Sequence, residues 1–331
     1  VTYTATYTTT PVVASVTVNS TATYYATIDA AFTAANASAT YEPTITLLRD
    51  ATTTTTSMIS YTGAKNCTLD LNGHTLSSTT AMALLYINHA GITFTITDLT
   101  DSQSGTLHLE STSTANRWCV YVANGNLQME AGTIFLSSKA DTFNEGIRID
   151  PTASTFTMNG GNVQVVTSDG KTACGIVSRG TAVIQGGAVQ VEASGDGYGI
   201  EARVKDSNIG NVTVNGGKFL VTGTTVACVY RSDNKATLKL QGGYYNTNTN
   251  LAANCATGYH VQNLTAGDEY NAGYRYEVNN RYTVTWQVEK TTITETVEYG
   301  DTPEYGSTPA KTATTEQVFS FSGWTDGKTI Y

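Results

Sequence analysis

Apolar and polar residues alternate in short runs along most of the chain, and many of these runs end in the same turn. The turn has the pattern apolar-x-Gly-Gly, with Ala in place of the first Gly in one copy. The copies are residues 129–132, 158–161, 184–187, 214–217 and 240–243. Their last glycines lie 29, 26, 30 and 26 residues apart. Alternation indicates strands with one buried face, and a period of this length indicates a solenoid.

A second series of short apolar segments lies between the glycine turns. Its members are residues 118–120, 146–148, 175–177, 199–201 and 228–230. Together with the strand that leads into each glycine pair, the two series give three strands per period, which is one turn, or rung, of a parallel β-helix. A tight corner between stacked strands needs a positive φ or a close approach of two backbones, and glycine permits both. The alternative, a sandwich of antiparallel hairpins, would place its turns about 8 to 12 residues apart.

The sequence therefore predicts an all-β protein with a right-handed parallel β-helix over residues 44–258. At about 4.8 Å per rung, about eight rungs would make a rod about 40 Å long. Residues 11–43 are expected to cap its start, because Thr27 can N-cap a short helix. The face of that helix that would cover the first rung consists of Ile28, Ala31, Phe32 and Ala35. Residues 259–280 are expected to cap the other end and to form a linker.

Composition and charge restrict the functions that this chain can have. It has 331 residues, of which 40% are apolar and only 14% are charged, and its net charge is −9. A Thr-rich chain with so few charges is typical of extracellular β-proteins. Nucleic acids and anionic membranes bind clustered Lys and Arg, so neither is an expected partner. No stretch approaches the roughly 20 apolar residues of a membrane span, and the alternating start is not a signal peptide, so we expect a mature or excised segment.

Five cysteines cannot all pair within one chain. Cys67, Cys119, Cys174 and Cys228 follow each other at intervals of 52, 55 and 54 residues, close to two periods. Side chains two rungs apart would be about 9.5 Å from each other, beyond the reach of a disulfide. We expect these residues to be small buried hydrophobic residues. The histidines are scattered and no CxxC pair is present, so the sequence predicts neither a metal site nor a cofactor.

The C-terminal segment, residues 281–331, differs from the repeats. It contains YTVTW at residues 282–286, VEYG at 297–300 and FSGW at 321–324. These elements resemble the internalin-type B-repeat, also called the Listeria–Bacteroides repeat, a small β-grasp-like module of bacterial surface proteins. Such modules finish with a strand of the type V-T-Y-T-A, which residues 281–331 lack. Residues 1–10 begin with VTYTATY instead and resemble that closing strand.

Two explanations of this incomplete module are open. In the first, the sequence is one unit of a longer array that alternates β-helices with B-repeats. In the second, residues 1–7 of one copy complete the 281–331 module of the next, which gives head-to-tail fibres by strand addition. The residues expected at such a junction are Val1, Tyr3, Ala5 and Tyr7 of one copy and Trp286 and Trp324 of the next. The expected partners are therefore further copies of this chain or adjacent repeats.

Three segments of the body, residues 26–32, 44–50 and 69–76, resemble adhesin-like, pectate-lyase-type β-helices of gut and environmental bacteria. The resemblance implies a secreted or cell-surface protein. It also implies an alternative function, because β-helices of this type include polysaccharide lyases and glycosidases. A lyase needs a base and charge neutralisation, often by Ca²⁺ bound to Asp, and a glycosidase needs clustered carboxylates.

Arginines and aspartates recur at similar places in successive periods. The residues are Arg148, Arg179, Arg203 and Arg231, with Asp150, Asp169, Asp206 and Asp233 close by. One interpretation is a surface ladder of screened ion pairs, each of which stabilises little. The other is a site that binds an acidic glycan or acts on it. Because the acids occur singly, we predict no catalytic residue and a non-enzymatic extracellular rod, with host or cell-wall glycans as candidate ligands.

Overall fold

The computed structural model describes residues 10–53, 56, 58–140, 143–151 and 153–325. Strands account for 50% of the chain and helices for 5%, and the strands form a right-handed β-solenoid of about seven turns. The all-β parallel β-helix that the sequence predicts is confirmed, with slightly fewer rungs than expected. The chain divides into two units, Val1–Asn279 and Asn280–Tyr331, which are described separately.

A short antiparallel hairpin and a helix precede the coil. These elements are β1 (Ala14–Val18), β2 (Thr21–Tyr25) and α1 (Ile28–Asn36). Thr27 caps α1 as predicted, because its hydroxyl oxygen accepts a hydrogen bond from the backbone N–H of Ala30 at 3.2 Å. The predicted apolar face is buried, and its Phe32 ring lies 6.3 Å from the ring of Phe94. The helix thus covers one end of the core.

Short strands build the coil and its two sheets. In chain order they are β3 (Thr44–Leu47), β4 (Ala51–Thr52), β5 (Ile59–Tyr61), β6 (Cys67–Asp70), β7 (Thr75–Ser78), β8 (Ala83–Thr97), β9 (Thr106–Ser111), β10 (Arg117–Met129), β11 (Thr133–Ser138), β12 (Asn144–Ile149), β13 (Thr155–Met158), β14 (Asn162–Thr167), β15 (Ala173–Ser178), β16 (Thr181–Ile184), β17 (Ala188–Glu192), β18 (Gly197–Ala202), β19 (Val204–Lys205), β20 (Asn208–Ile209), β21 (Asn211–Val214), β22 (Lys218–Thr222), β23 (Val226–Arg231), β24 (Thr237–Leu240) and β25 (Tyr244–Tyr245). The elements that end this unit are α2 (Leu251–Asn254), β26 (His260–Asn263), α3 (Asp268–Asn271) and β27 (Tyr276–Asn279). The second unit contains β28 (Arg281–Val288) and β29 (Thr291–Glu298).

Two parallel sheets run along the coil. In the first sheet, β3, β6, β8, β10, β12, β15, β18 and β23 pair in that order, and β13, β16, β21 and β24 extend it. In the second sheet, β4, β7, β9, β11, β14, β17, β22 and β25 pair in order. The register is direct, so Ile147 lies between Val120 of the preceding rung and Ile176 of the next. Each position along a strand therefore belongs to a column that runs from rung to rung.

Antiparallel strands extend one of the two sheets at each end of the coil. At the first end, β1 and β2 extend the first sheet beyond β3, and at the other end β27 and β26 extend the second sheet beyond β25. These strands run against the parallel ladder and belong to different sheets at the two ends. At each end, one of the two sheets therefore finishes in an antiparallel edge, which another coil could not continue as a parallel ladder in that sheet.

The glycine pairs lie at corners, and the two glycines of a pair serve different purposes. A Cβ on the first glycine, Gly186, would lie only 2.7 Å from the carbonyl oxygen of Asn159 in the preceding rung. The second, Gly187, has a φ of 80°, which glycine adopts at low cost. The other pairs repeat this arrangement, with a nearby carbonyl oxygen at the first glycine and a positive φ at the second. Close stacking and left-handed backbone thus explain the repeated motif.

A column of small residues faces the core where the two sheets approach each other. At its centre, a Cβ on Gly175 would lie 2.4 Å from Cγ1 of Val189 and 2.6 Å from the carbonyl oxygen of Gly199. The register places Cys119 and Cys228 at the two ends of this column. All five cysteines are free, and four are buried, which confirms the prediction of small buried residues for Cys67, Cys119, Cys174 and Cys228.

Replacing Gly175 with alanine tests how closely the rungs approach. The added methyl group would overlap Val189 and the Gly199 backbone, so we expect the free energy of unfolding to fall by about 1 to 3 kcal/mol. Urea unfolding followed by circular dichroism measures this change. Gly306→Ala is the control, because a Cβ there meets nothing within 4 Å. Equal unfolding midpoints for the two variants would contradict the packing described.

Candidate functional site

The strongest concentration of charged side chains lies on the outward face of the first sheet. Direct register stacks Trp118, Glu145, Cys174 and Tyr198 in one column. A second column contains Tyr121, Arg148, Val177, Glu201 and Tyr230. Asp150, Arg179 and Arg203 directly follow the last residues of β12, β15 and β18. We name Glu145, Arg148, Asp150, Arg179, Glu201 and Arg203 the arginine–carboxylate cluster.

Ion pairs connect the members of this cluster across rungs. Asp150 Oδ2 accepts hydrogen bonds from Arg148 Nε at 2.8 Å and from Arg179 Nη1 at 3.3 Å. Arg203 holds both oxygens of Glu201 through Nε and Nη2, at 2.8 and 2.5 Å. Its Nη1 also donates to Glu145 Oε1 at 2.7 Å, although 58 residues separate the two. Arg203 therefore bridges carboxylates that lie two rungs apart.

Small outward side chains make room for this bridge. On the rung between Glu145 and Arg203, the outward positions of the two columns are Cys174 and Val177. Both side chains are much shorter than the guanidinium that passes them, and both are buried. The outward position of Cys174 also differs from that of Cys119 and Cys228, which face the core, so the cysteines do not form one stacked column.

Almost none of this cluster is exposed to solvent. Glu145 is 1% exposed, and Arg148, Arg179 and Glu201 are 5–6% exposed. The indole Nε1 of Trp118 donates to Glu145 Oε2 at 3.0 Å. Aromatic rings cover the guanidinium of Arg148, whose Cζ lies 5.1 Å from the Trp118 ring centroid and 5.4 Å from that of Phe143. The cluster is thus a buried, rigid network on a face that would otherwise meet water.

Burial and pairing shift the acidity of these groups. Burial raises the pKa of the Glu145 carboxyl, an effect that Arg203 and Arg148 oppose. Burial would lower the pKa of Arg203, but the hydrogen bonds and charge of Glu201 and the charge of Glu145 raise it above its usual value. Within the cluster, three guanidinium groups face three carboxylates, so its formal charge is balanced when all are ionised.

The arginines predicted from the sequence do not all lie together. Arg148, Arg179 and Arg203 belong to the buried cluster and not to a ladder of screened surface pairs, because aromatic side chains and neighbouring rungs cover them. Arg231 is exposed and lies outside the cluster. A role of these residues in binding a glycan stays a prediction.

Three of the predicted aspartates also lie outside the cluster. Asp206 is exposed, with a φ of 55°, in the turn of the β19–β20 hairpin. The side chain of Asp233 is exposed and accepts a hydrogen bond from the backbone N–H of Lys235 at 2.8 Å. Asp169 lies 3.3 Å from Lys139 in an exposed ion pair. These aspartates stabilise turns or surface pairs, whereas Asp150 alone among the predicted acids joins the arginines.

Sequence reasoning did not assign Glu145, Glu201, Trp118 or Phe143 to a cluster with the arginines. Glu145 directly precedes Gly146 and Glu201 follows Gly199 by two residues, so both belong to the second repeat series. Placing that series in direct register brings Glu145 next to Trp118 and Glu201 into the column of Arg148. A correct register would therefore have placed the two acids in the cluster. It would not have shown that the Arg203 side chain extends across two rungs to Glu145.

A small cleft opens beside the cluster. Its volume is about 50 Å³, and its lining includes Phe143, Glu145, Thr172, Tyr198 and Glu201. A more polar cleft of about 400 Å³ lies around the exposed Arg231 and Asp233. The first cleft combines aromatic rings with buried charged groups, and the second is lined by polar surface residues.

The C-terminal unit contains a separate groove and an aromatic cluster. The ring centroids of Trp286 and Trp324 are 4.6 Å apart, and Tyr305 lies 4.7 Å from Trp324. A groove of about 340 Å³ lies between the end of β28 and residues 319–325. Trp286 and Trp324 thus lie together, whereas Val1, Tyr3, Ala5 and Tyr7 lie outside the described residues.

No residue of this unit is buried over the described range 280–325. Phe321 is 43% exposed and Ile293 is 45% exposed. Even Trp286, whose indole Nε1 donates to Glu295 Oε1 at 2.9 Å, is only partly covered. The unit therefore has an aromatic cluster but no buried core within the described residues.

In the described part of the chain, no group of three His, Cys, Asp or Glu residues could hold a metal ion. None of the helices described there has the length and apolar character needed to cross a membrane. No protein-family model, curated protein or solved structure matches the chain.

Replacing Glu145 with glutamine tests the buried network. The variant keeps the shape of the side chain but leaves Arg203 and Arg148 with one carboxylate fewer, so we expect it to lower the free energy of unfolding by about 3 kcal/mol. Urea unfolding measures the change. Asp233→Asn is the control, since an exposed acid should change stability by less than about 0.5 kcal/mol. The same small change in both variants would mean that the network does not stabilise the coil.

Proposed function

We propose that this chain is a structural and adhesive rod of an extracellular bacterial surface protein. It would form one unit of a longer array or of a head-to-tail fibre. The β-solenoid supplies a rigid body with a continuous core. Because one sheet finishes in antiparallel strands at each end of the coil, the two parallel sheets would not both continue from one coil into the next, and junctions between units would use another element. The C-terminal unit is the candidate for that element.

The observation that carries this proposal is that no described residue of the C-terminal unit, over 280–325, is buried. A unit of about 50 residues buries little surface by itself, and a fold without any buried side chain is not expected to be stable alone. Here the large apolar side chains Ile293, Phe319 and Phe321 are between 37% and 45% exposed. A further strand would cover them. The resemblance of this unit to a B-repeat that lacks its closing strand supports the same conclusion.

The groove suits an added strand. Its lining includes Val288 from β28 together with Phe319, Phe321 and Trp324. Strand addition would satisfy backbone hydrogen bonds while alternate side chains enter the groove.

Residues 1–7 have the pattern that this groove would accept. Val1, Tyr3, Ala5 and Tyr7 alternate with threonines, so one face of an extended segment is apolar and the other is polar. The apolar face would cover Phe321 and Trp324, and the threonines would face water. We therefore propose residues 1–7 of a neighbouring copy as the closing strand.

The alternative function, a polysaccharide lyase or glycosidase, has less support. Glu145 and Glu201 both line the cleft beside the cluster, but Arg203 holds both carboxylates. Arg203 already occupies both carboxylates with hydrogen bonds, so neither is free to take a proton from a substrate while these bonds are in place. No catalytic residue is proposed.

Deleting residues 1–7 tests assembly. We expect the full chain to sediment as species larger than a monomer as its concentration rises, because each added strand buries apolar surface of a neighbour. The deletion variant should stay monomeric, and a VTYTATY peptide should bind it and change its tryptophan fluorescence. A peptide with lysine at the two tyrosine positions is the control. Identical sedimentation of the full chain and the deletion variant would contradict the proposal.

A matched substitution tests the acceptor side of the junction. Trp324→Ala should prevent assembly of the full chain, because Trp324 lines the groove. Tyr24→Ala should assemble normally, since Tyr24 is 62% exposed on the N-terminal hairpin. Assembly that survives Trp324→Ala would place the junction elsewhere.

A further inference from the structure

We propose that the outward face of the first sheet binds a neutral polysaccharide along a track between two aromatic pairs. The pairs are Tyr86 with Tyr121 at one end and Tyr198 with Tyr230 at the other. This inference rests on the adhesive part of the proposed function and supplies its ligand class. It does not depend on how units assemble.

Direct register makes the track straight. Tyr121 and Tyr230 belong to the same column, with Arg148, Val177 and Glu201 between them. Four rung spacings of about 4.8 Å place the two tyrosines about 19 Å apart along the coil. A track of this length and direction suits an extended polymer and not a compact small molecule.

The aromatic side chains are partly exposed and held in place. The centroids of Tyr86 and Tyr121 are 5.4 Å apart, and those of Tyr198 and Tyr230 are 4.8 Å apart. All four residues are partly exposed. The C–H face of a sugar ring can pack on such a ring, while sugar hydroxyls bond to nearby polar groups. Because ring contacts already restrict the tyrosines, binding would cost little side-chain entropy.

The cleft that Tyr198 lines has a size that limits what can enter it. Its volume is about 50 Å³, and its lining includes Thr172, Glu145 and Glu201. One water occupies about 30 Å³ of liquid, so the cleft can take a water or a single hydroxymethyl group but not a whole sugar ring. A polysaccharide would therefore lie over the cleft, with one substituent pointing into it.

The charges of the cluster favour a neutral ligand over an acidic one. Arg148 and Arg179 both pair with Asp150, and Arg203 pairs with Glu145 and Glu201. Every guanidinium of the cluster thus already has a carboxylate partner, and an incoming uronate would meet these carboxylates. The net charge of −9 also repels polyanions. A neutral sugar is repelled neither by the carboxylates nor by the net negative charge.

Affinity electrophoresis with soluble polysaccharides tests this inference. The probes are a mixed-linkage β-glucan, xyloglucan, galactomannan and starch as neutral polymers, and polygalacturonate and alginate as acidic ones. We expect at least one neutral polymer to retard the protein and neither acidic polymer to do so. No retardation by any neutral polymer, or retardation by the acidic polymers alone, would overturn the proposal.

Substitutions then locate the binding face. Tyr121→Ala combined with Tyr230→Ala should weaken retardation at least tenfold, because each end of the track loses a ring. Tyr24→Ala combined with Tyr41→Ala is the matched control, since both tyrosines are exposed, precede β3 and lie outside the column of Tyr121 and Tyr230. Circular dichroism checks folding, and the single Tyr230→Ala variant replaces the double variant if the latter does not fold. Undiminished binding by the Tyr121 and Tyr230 variants would overturn the assignment.

Sedimentation separates this inference from the assembly proposal. The Tyr121 and Tyr230 variants should assemble as the unmodified chain does, because neither residue lines the groove of the C-terminal unit. Normal assembly without polysaccharide binding would reject the track alone. Polysaccharide binding without assembly would reject the strand-addition junction alone.

Discussion

Close, direct stacking of one rung on the next is the constraint on which the rest of this structure depends. Gly175 and Gly186 show why, because a Cβ on either residue would overlap the backbone of an adjacent rung. Once rungs stack without offset, each outward position meets the same position of the next rung. Columns such as Tyr121, Arg148, Val177, Glu201 and Tyr230 follow from this geometry. The arginine–carboxylate cluster and the aromatic track are therefore consequences of the backbone repeat combined with the choice of outward side chains.

The buried cluster has a clearer role in fixing how successive rungs align than in raising the free energy of unfolding. Removing a charge from water is costly, and a buried ion pair often stabilises no more than well-packed apolar residues would. A network that spans three rungs through Arg203, however, is satisfied only when those rungs are aligned. Slippage of one rung would leave Glu145 or Glu201 buried without its partner. We infer that the cluster helps to hold the register of β12, β15 and β18 beneath the face that we assign to a polysaccharide.

Sequence patterns that involve neighbouring residues predicted much of the fold. The features that they did not predict depend on packing between residues far apart in the sequence. The glycine corners and the Thr27 cap depend on one or two residues and their backbone geometry, so the repeat and the helix could be found from sequence. The burial of Arg148 depends on rings contributed by Trp118 and Phe143, which belong to another rung and to a connecting segment. Spacing alone therefore placed the arginines on an exposed ladder. The partners Glu145 and Glu201 could not be found from neighbours in the sequence, because the Arg203 side chain reaches across two rungs to Glu145.

The two units pose opposite packing problems, since the coil has a continuous buried core and the described residues 280–325 have none. The central claim is that a neighbouring copy supplies the missing cover. Hydrogen exchange measured by mass spectrometry, on peptides covering β28 and residues 319–325, tests it most directly when the concentration of the full chain is varied. The account predicts that amide protection in these segments rises as the protein assembles, while protection in β12 and β15 stays constant. Protection that is the same at every concentration would contradict it.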